Sequence, residues 1–316
     1  MNKNIWYDHF LKSLYEKYPK KNRLAEALMD LLCIEREAVY RRLRKDVMFP
    51  FHEIVKIAST WNISINEIIG VSNGNIPFFM RPFSYLDSLN NIRESTEFLQ
   101  KLEPSFESEY MEICNKPSRV MVTGHTALCQ FYLFKWIYQY GNEETVTPYS
   151  KAVIPGSMHQ LMSDYHVATK NISNASYILD HKLFDFLVCD IQYFHSVKLI
   201  TDEEKELLKK DMHALIDQMA DIARKGYHLE EKNKINIYIS RINIDTNYSY
   251  LYTKAFKVCC IHGISENDIY TTDDEVVKNF RKWALLKKRT SVQISEVDEI
   301  GRIEYFTRQR QLVDTL

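Results

Sequence analysis

Apolar side chains between Trp6 and Ile69 recur every three or four residues, and no segment there alternates with the period of two that marks a strand. This spacing is typical of short helices that bury one face. It predicts five helices, which span Trp6–Tyr18, Arg23–Leu32, Glu35–Lys45, Phe51–Trp61 and Ile65–Ile69. Pro50 suits the start of the fourth helix, and Gly70 suits the end of the fifth.

A break in this pattern follows at GVSNGNIPFFMRP, which concentrates the residue types that interrupt helices and strands. We therefore predict a first domain at residues 1–70, a linker at 71–82 and a second region at 83–316. The pattern in 83–234 is mainly helical. It is clearest in a long helix that begins at a Thr201 cap.

The pattern changes again in residues 235–316, where alternating and β-branched segments appear. Predicted strands cover Ile235–Ile244, Tyr248–Tyr252, Phe256–Ile261 and Val292–Ile294, and predicted helices cover Asp273–Lys288 and Glu296–Leu312. The predicted fold class is therefore mainly α, with a C-terminal α+β part in which helices cover a small antiparallel sheet.

Composition and charge are those of an ordinary globular protein. The 316 residues are 45% hydrophobic and 26% charged, with a net charge of −1, which excludes a disordered or low-complexity chain. No apolar run approaches the roughly 20 residues of a membrane helix, and the first residues lack the pattern of a secretory signal. The six cysteines form no C-x-x-C pair. We expect a cytoplasmic protein with reduced thiols.

Positive charge is concentrated on the third predicted helix. Residues 36–45 hold five basic side chains against one acid, and residues 1–70 carry a net charge of +3 against −4 for the remainder. With Val39 and Leu43 turned inward, the side chains on the outer face and flanks are Arg36, Glu37, Tyr40, Arg41, Arg44 and Lys45. Such a helix favours binding to the phosphates of nucleic acid, although a solvated helix face explains many basic runs.

Each residue of this face has a predicted role in binding duplex DNA through the major groove. Arg36 and Arg41 would contact guanine edges, because a guanidinium can bind O6 and N7 together. Arg44, Lys45 and Arg42 would meet phosphates, Tyr40 a sugar or a thymine methyl, and Glu37 the amino group of cytosine.

Residues 23–70 resemble the helix-turn-helix domain of phage-repressor/Cro-like (XRE-type) regulators, closest to the BetR-like variety. The likeness is carried by a core of Leu32, Ile34, Val39, Tyr40, Arg41, Arg42, Leu43 and Arg44, and by the segment Phe51–Gly70. It implies a lambda-repressor-like domain of five helices that binds specific double-stranded DNA. The chain departs from the family at Met29, where a small residue is usual, and at Cys33, where the turn usually has glycine.

The remainder is similar to the long C-terminal region of Bacteroidetes-type regulators, a likeness that brings no known ligand. Other candidates are an aromatic helix at Phe131–Tyr140, the trio His181, Asp185 and Cys189, and the neighbours Cys259 and Cys260, which would face opposite ways in a strand. Packing in the core explains the aromatic helix. The trio of one histidine, one aspartate and one cysteine is weak evidence for a metal site. We therefore predict no metal and no cofactor.

Together these patterns predict a DNA-binding transcriptional regulator that acts as a homodimer. Its second region would dimerise or sense a small-molecule or protein effector. Catalysis is not expected, since nucleotide-binding and hydrolase motifs are absent and the sequence shows no polar cleft of carboxylates or histidines. The alternative is a protein-interaction adaptor that uses the five-helix unit as a binding module.

Overall fold

The computed structural model describes residues 5–65, 68, 78–80, 85–102, 107–140, 147–152, 156–227, 233–264 and 267–316. The chain forms two compact units, Met1–Pro77 and Phe78–Leu316. Their division falls within the predicted linker at 71–82, most of which lies outside the described residues. Within this range Phe79–Met80 form a short strand.

Helices build the first unit. They are α1 (Ile5–Lys17), α2 (Lys21–Leu32), α3 (Arg36–Leu43) and α4 (Phe51–Trp61). The four agree with the predicted helices except that α3 is shorter, because Glu35 is extended and Lys45 is left-handed with φ 69°. Most of the predicted fifth helix, Ile65–Ile69, lies outside the described residues.

One apolar cluster holds these helices together. Its fully buried members come from every helix and include Phe10, Leu14, Leu24, Leu28, Val39 and Ile57. Val39 and Leu43 turn inward as predicted, and this fixes the outer face of α3. Met29, which stands where XRE-type regulators usually have a small residue, is only partly buried and packs against the cluster.

A three-residue turn, Cys33 to Glu35, joins α2 to α3. Cys33 takes the left-handed conformation, with φ 54° and ψ 44°, and its N–H donates to the Met29 carbonyl at 2.8 Å. Glycine usually ends a helix in this way because it has no Cβ to clash. Cys33 therefore adopts the left-handed backbone conformation that glycine usually adopts at the end of a helix.

The second unit contains eight strands in one mixed sheet of order β1-β7-β6-β5-β2-β3-β4-β8. β2, β3 and β4 are parallel and all other pairs are antiparallel. The strands span, from β1 to β8, Phe79–Met80, Glu109–Cys114, Asn174–Asp180, Lys234–Ser240, Asn247–Tyr252, Lys257–Ile264, Asn267–Thr271 and Val292–Gln293.

This sheet contradicts the predicted fold class. The fold is α/β, not mainly α with a small antiparallel sheet. The error lies in β2 and β3, which fall in the region predicted to be mainly helical. Both strands are covered on two faces, so burial does not alternate along them, and polar residues such as Glu112 and Ser176 are buried among the apolar ones. The sequence of each strand therefore carries no period-two signal.

Eight helices of the second unit are described. From α5 to α12 they span Tyr85–Gln100, Arg119–Val122, Thr126–Tyr140, Gly156–Thr169, Asp185–Ser196, Asp202–Lys225, Asp274–Arg289 and Glu299–Asp314. The predicted capping of the long helix α10 is observed, because Thr201 and Glu204 form a reciprocal capping box. Gly226 ends α10 with φ 77°.

The two faces of the sheet are covered differently. Met111 of β2, Ile178 of β3 and Tyr250 of β5 face α11, where they form a compact cluster with Val277 and Ala284. The alternate residues of the same strands face the opposite way. There Cys114 of β2 and Leu179 of β3 pack against a larger set of helices, among them α7, α9, α10 and α12, whereas Ser249 and Leu251 of β5 line a cavity.

We expect Cys33→Gly to stabilise the first unit by about 1 kcal/mol, because it removes the cost of a Cβ in the left-handed region. Chemical denaturation followed by tryptophan fluorescence would measure the gain. Cys33→Ala is the matched control, since it removes the thiol and keeps the Cβ. An equal gain in both variants would show that the thiol, not the backbone, is responsible.

Candidate functional site

Arg42 of α3 points into the first unit instead of toward a ligand. Its Nε and Nη2 donate to the two carboxylate oxygens of Glu53 on α4, each at 2.9 Å, and its Nη1 donates to the Ala38 carbonyl at 3.1 Å. The two side chains are only 16% and 9% exposed. The predicted phosphate contact by Arg42 is therefore not supported, because this residue ties α3 to α4.

Two further cations of α3 have acidic partners at the surface. Arg44 donates from Nη2 to Glu37 at 2.8 Å and from Nε to Asp46 at 3.1 Å, and Lys45 pairs with Asp8 of α1. All of these side chains are about half exposed or more. Exposed ion pairs contribute little to stability, so a phosphate can replace the acids, but the acids reduce the net charge of this end of the helix.

Arg36 and Arg41 differ from these three. Both are exposed, and neither guanidinium has a carboxylate partner among the described residues. Arg36 lies 5.8 Å from the centre of the Tyr40 ring, and Arg41 has no hydrogen bond from its side chain within the described chain. These two arginines, assigned to base contacts by the sequence, are the exposed arginines of α3 without a carboxylate partner among the described residues.

Tyr40 links α3 to the first turn of α2. Its hydroxyl donates to Asn22 Oδ1 at 3.1 Å, and its ring lies between Arg36 and Lys21, whose Nζ is 5.6 Å from the ring centre. The sequence analysis does not include Lys21 among the DNA-binding candidates. The run of basic residues Lys20, Lys21 and Arg23 at the start of α2 could have identified it.

The start of α2 carries positive charge, which is unusual for the N-terminus of a helix. Helices normally carry acids in the first turn, where the dipole is positive. Here Lys20 precedes the helix without a capping side chain, and the first turn contains no acid. Lys20, Lys21 and Arg23 are all exposed. An anion such as phosphate would complement both the dipole and these cations.

A second candidate site is a cavity of about 780 Å³ in the second unit. It lies between α5, α6, α7, α8 and the face of the sheet that α11 does not cover. Strand pairing brings four polar residues into one row on its floor: Glu112 of β2 lies opposite Ser249 of β5, Ser249 opposite Cys260 of β6, and Cys260 opposite Tyr270 of β7.

Hydrogen bonds extend this row. Ser249 Oγ is 2.8 Å from His262 Nε2, and His262 Nδ1 is 2.7 Å from Asp268 Oδ1. The Ser118 hydroxyl donates to Glu112 at 2.9 Å. The order hydroxyl, imidazole, carboxylate is the one that activates a serine nucleophile in hydrolases. The sequence shows no such constellation because strand pairing assembles it from residues that lie far apart in the chain.

Burial and mutual attraction set the charges of this network. Burial raises the pKa of Glu112, and attraction to His262 and the Ser118 hydrogen bond only partly offset it. Burial alone would lower the pKa of His262, but Asp268 and Glu112 attract its proton and raise the pKa. Burial likewise opposes ionisation of Asp268, yet His262, Arg119 and Lys116 lower its pKa. The network therefore opposes ionisation of Glu112 by burial and favours a charged His262–Asp268 pair.

The remaining sequence candidates contribute little new chemistry. Cys259 and Cys260 face opposite sides of the sheet, as the strand pattern predicts, and Cys260 lines the cavity. In the aromatic helix, now α7, Phe131 is buried in the core and Trp136 lines the cavity. His181 lies 3.2 Å from Asp180, and no group of three potential metal ligands occurs in the described chain.

Comparison of the chain with known protein families, curated proteins and solved structures finds no match. None of the helices within the described residues is long and apolar enough to cross a membrane. The resemblance to XRE-type regulators therefore stays a prediction, and the geometry of the two candidate sites carries the functional argument.

We expect Arg42→Ala to lower the free energy of unfolding of the first unit by about 3 kcal/mol, because it leaves the buried Glu53 carboxylate without its partner. Arg41→Ala is the matched control and should change stability by no more than about 0.5 kcal/mol. Hydrogen exchange of the α2 and α3 amides in the full chain would measure both. Equal effects of the two substitutions would contradict the difference in their contacts.

We expect Glu112→Gln to stabilise the protein at neutral pH. The pKa of Glu112 is raised in the folded state, so the wild type loses stability as the pH rises above the unfolded value of about 4.3. Glutamine cannot ionise and can still bond to Ser118. Urea denaturation at pH 4 and pH 7.5 should therefore show a gain at the higher pH alone. A variant less stable than the wild type at pH 7.5 would refute this account.

Proposed function

We propose that the protein is a sequence-specific DNA-binding transcriptional regulator in which α3 enters the major groove of duplex DNA. The observation that carries this proposal is the accessible pair Arg36 and Arg41 on a helix that follows a three-residue, glycine-like turn. A supporting helix, a tight turn and a second helix with outward polar side chains are the parts that a helix-turn-helix needs.

The contacts divide between α3 and α2. Arg41 binds the O6 and N7 atoms of a guanine, and Arg36 contacts a neighbouring base from the start of α3. Lys20, Lys21 and Arg23 meet phosphates at the N-terminus of α2, a role supported by the absence of acids there. Arg44 and Lys45 exchange their acidic partners for phosphates, whereas Arg42 remains with Glu53.

We further propose that the protein works as a cytoplasmic homodimer and acts by binding, not by catalysis. A single helix-turn-helix contacts few bases, so two copies on half-sites one helical turn apart multiply the affinity. The second unit then dimerises or senses an effector. An inverted-repeat operator follows from the two-fold symmetry.

Selection from a randomised duplex library with the full chain tests the DNA proposal. We expect one inverted-repeat motif. Arg41→Ala should weaken binding to that motif by about 1 to 3 kcal/mol and leave binding to random DNA nearly unchanged. Lys21→Ala should weaken both alike and reduce the salt dependence by about one phosphate contact.

Arg93→Ala, an exposed arginine of α5 in the second unit, is the control and should change neither affinity. No enrichment at a salt concentration where non-specific binding is weak would refute the proposal. That result would favour the adaptor alternative, in which the helical unit binds a protein. Equal losses on specific and random DNA for Arg41→Ala would refute its base contact alone.

A further inference from the structure

We propose that the cavity of the second unit binds an uncharged amphipathic molecule, whose hydroxyl or amide group lies on the polar row and whose aromatic or acyl body lies against α7 and α8. The residues that line this site all belong to the second unit. A binding site of this kind goes beyond DNA binding and does not depend on it.

The size of the cavity indicates a ligand. Protein interiors are packed as closely as organic crystals, and voids larger than a water molecule are few. A volume of about 780 Å³ falls within the range of small-molecule sites. The cavity lies over strands β2, β5 and β6 in the middle of the sheet, where apolar side chains would otherwise pack.

Glu112 offers acceptor sites to a ligand. Its side chain lines the cavity from β2 and is only 2% exposed. A carboxyl group has about four acceptor sites when ionised and keeps acceptor capacity when protonated. Two of these sites are used within the protein, by the Ser118 hydroxyl at 2.9 Å and by Tyr110. Capacity for a further donor therefore remains in either protonation state.

Ser249 lies directly opposite Glu112 and supplies the second half of the floor. Its hydroxyl has one donor site and two acceptor sites. The hydroxyl is 2.8 Å from His262 Nε2 and also interacts with the thiol of Cys260. One site therefore remains for a ligand, and the tautomer of His262 decides whether that site donates or accepts.

A hydroxyl or an amide fits this pair better than an ion does. Opposite residues of antiparallel strands have Cβ atoms about 5 Å apart, so one small group can contact both side chains. A hydroxyl can donate to Glu112 and accept from Ser249, and a primary amide can also donate to both. A carboxylate only accepts, and an ammonium group only donates.

The charges of the lining give no preference for an ionised ligand. His262 and Asp268 contact each other at 2.7 Å, and Lys135 pairs with Asp190. The remaining charged side chains also interact with groups of the protein. The lining has three basic and three acidic residues besides His262, namely Lys116, Arg119, Lys135, Glu94, Glu112 and Asp268. An ion that entered would lose its water where the charged groups are already engaged, which costs more than burying a neutral group.

The helices that line the cavity fit an apolar body. They contribute aromatic rings and flexible methionines, and the members include Phe98, Tyr132, Leu133, Trp136, Met158 and Met162. Methionine adapts to ligands of different shape, and aromatic rings offer large contact areas. An aromatic or acyl body with one hydroxyl or amide group therefore matches both the helices and the floor.

Ester hydrolysis by Ser249, His262 and Asp268 is the competing chemistry, and two observations disfavour it. Ser249 lies within β5, which pairs on both edges, so the backbone N–H groups around it are occupied by β2 and β6. A tetrahedral intermediate needs such donors for its oxyanion. Glu112 also lies directly opposite Ser249, and a carboxyl group there would repel a developing negative charge when ionised.

Three probes of the same shape test the proposal. 2-Naphthylacetamide, 2-naphthylacetate and 2-naphthylacetone share an aromatic body and a carbonyl oxygen, and they differ in one group, which is NH2, O− or CH3. Only the amide is both uncharged and able to donate. We expect it to bind in equilibrium dialysis with the full protein, at one molecule per chain and about tenfold or more tighter than the other two.

Two substitutions in the floor locate the bound amide. Glu112→Leu removes the acceptor and should abolish the preference for the amide over the ketone. Ser249→Ala should weaken binding of the amide about fivefold or more. Ser176→Ala is its matched control and should leave the affinity unchanged, because Ser176 is similarly buried in β3 and lies outside the cavity lining. A preference that survives both floor substitutions would overturn the proposal.

Filling the cavity separates specific binding from surface adsorption. Leu133→Trp and, independently, Met162→Trp place an indole in the space of the ligand and should abolish binding while circular dichroism shows an unchanged fold. The floor substitutions decide the question where a filling variant does not fold.

Binding that survives in both folded filling variants would overturn the proposal. The same holds for an acid or ketone that binds as tightly as the amide, and for no binding of the amide at about 0.5 mM. Turnover of 4-nitrophenyl decanoate that Ser249→Ala abolishes would replace binding with hydrolysis.

Regulation of DNA binding by the ligand is a separate matter that rests on the proposed function. The dialysis contains no DNA, so it succeeds or fails whether or not the first unit binds an operator. Conversely, the DNA selection uses variants of the first unit that leave the cavity intact.

Discussion

The register of the mixed sheet is the constraint on which the second unit depends. Successive residues of a strand face opposite sides, so the pairing decides which side chains meet α11 and which meet the cavity. Met111 and Ile113 face α11, and this leaves Glu112 on the cavity side. A slip of one residue in β2 would bury Glu112 against apolar side chains and destroy the row that it forms with Ser249. The apolar face therefore fixes the geometry of the polar one.

The sequence reveals helices better than it reveals the central strands. Helices α1 to α4 and α10 each bury a single stripe, and a stripe leaves a periodic pattern that can be counted. β5 and β6 are visible because aromatic and β-branched residues dominate them. β2 and β3 have no such signal, because both of their faces are covered. Without them the pattern suggests a small sheet, and the α/β fold is missed.

The two candidate sites also differ in how far the sequence could predict them. An amphipathic helix places its outer residues predictably, so Arg36 and Arg41 could be selected from spacing alone. Their neighbour Arg42 could not be excluded, since its partner Glu53 lies on another helix. The polar row could not be foreseen at all, because it joins residues as distant in sequence as Glu112 and Ser249 through strand pairing.

The two buried carboxyl groups, Glu53 and Glu112, differ in the partners that surround them. Glu53 accepts two hydrogen bonds from Arg42 and joins two helices, so folding alone explains it. Glu112 accepts a hydrogen bond from the Ser118 hydroxyl, but burial still raises its pKa, so ionisation of Glu112 weakens the fold. An apolar residue of similar size would pack there at lower cost. Burial alone therefore disfavours an ionised carboxyl at this position. Glu112 lies opposite Ser249 on the floor of the cavity, where the register of β2 and β5 places it.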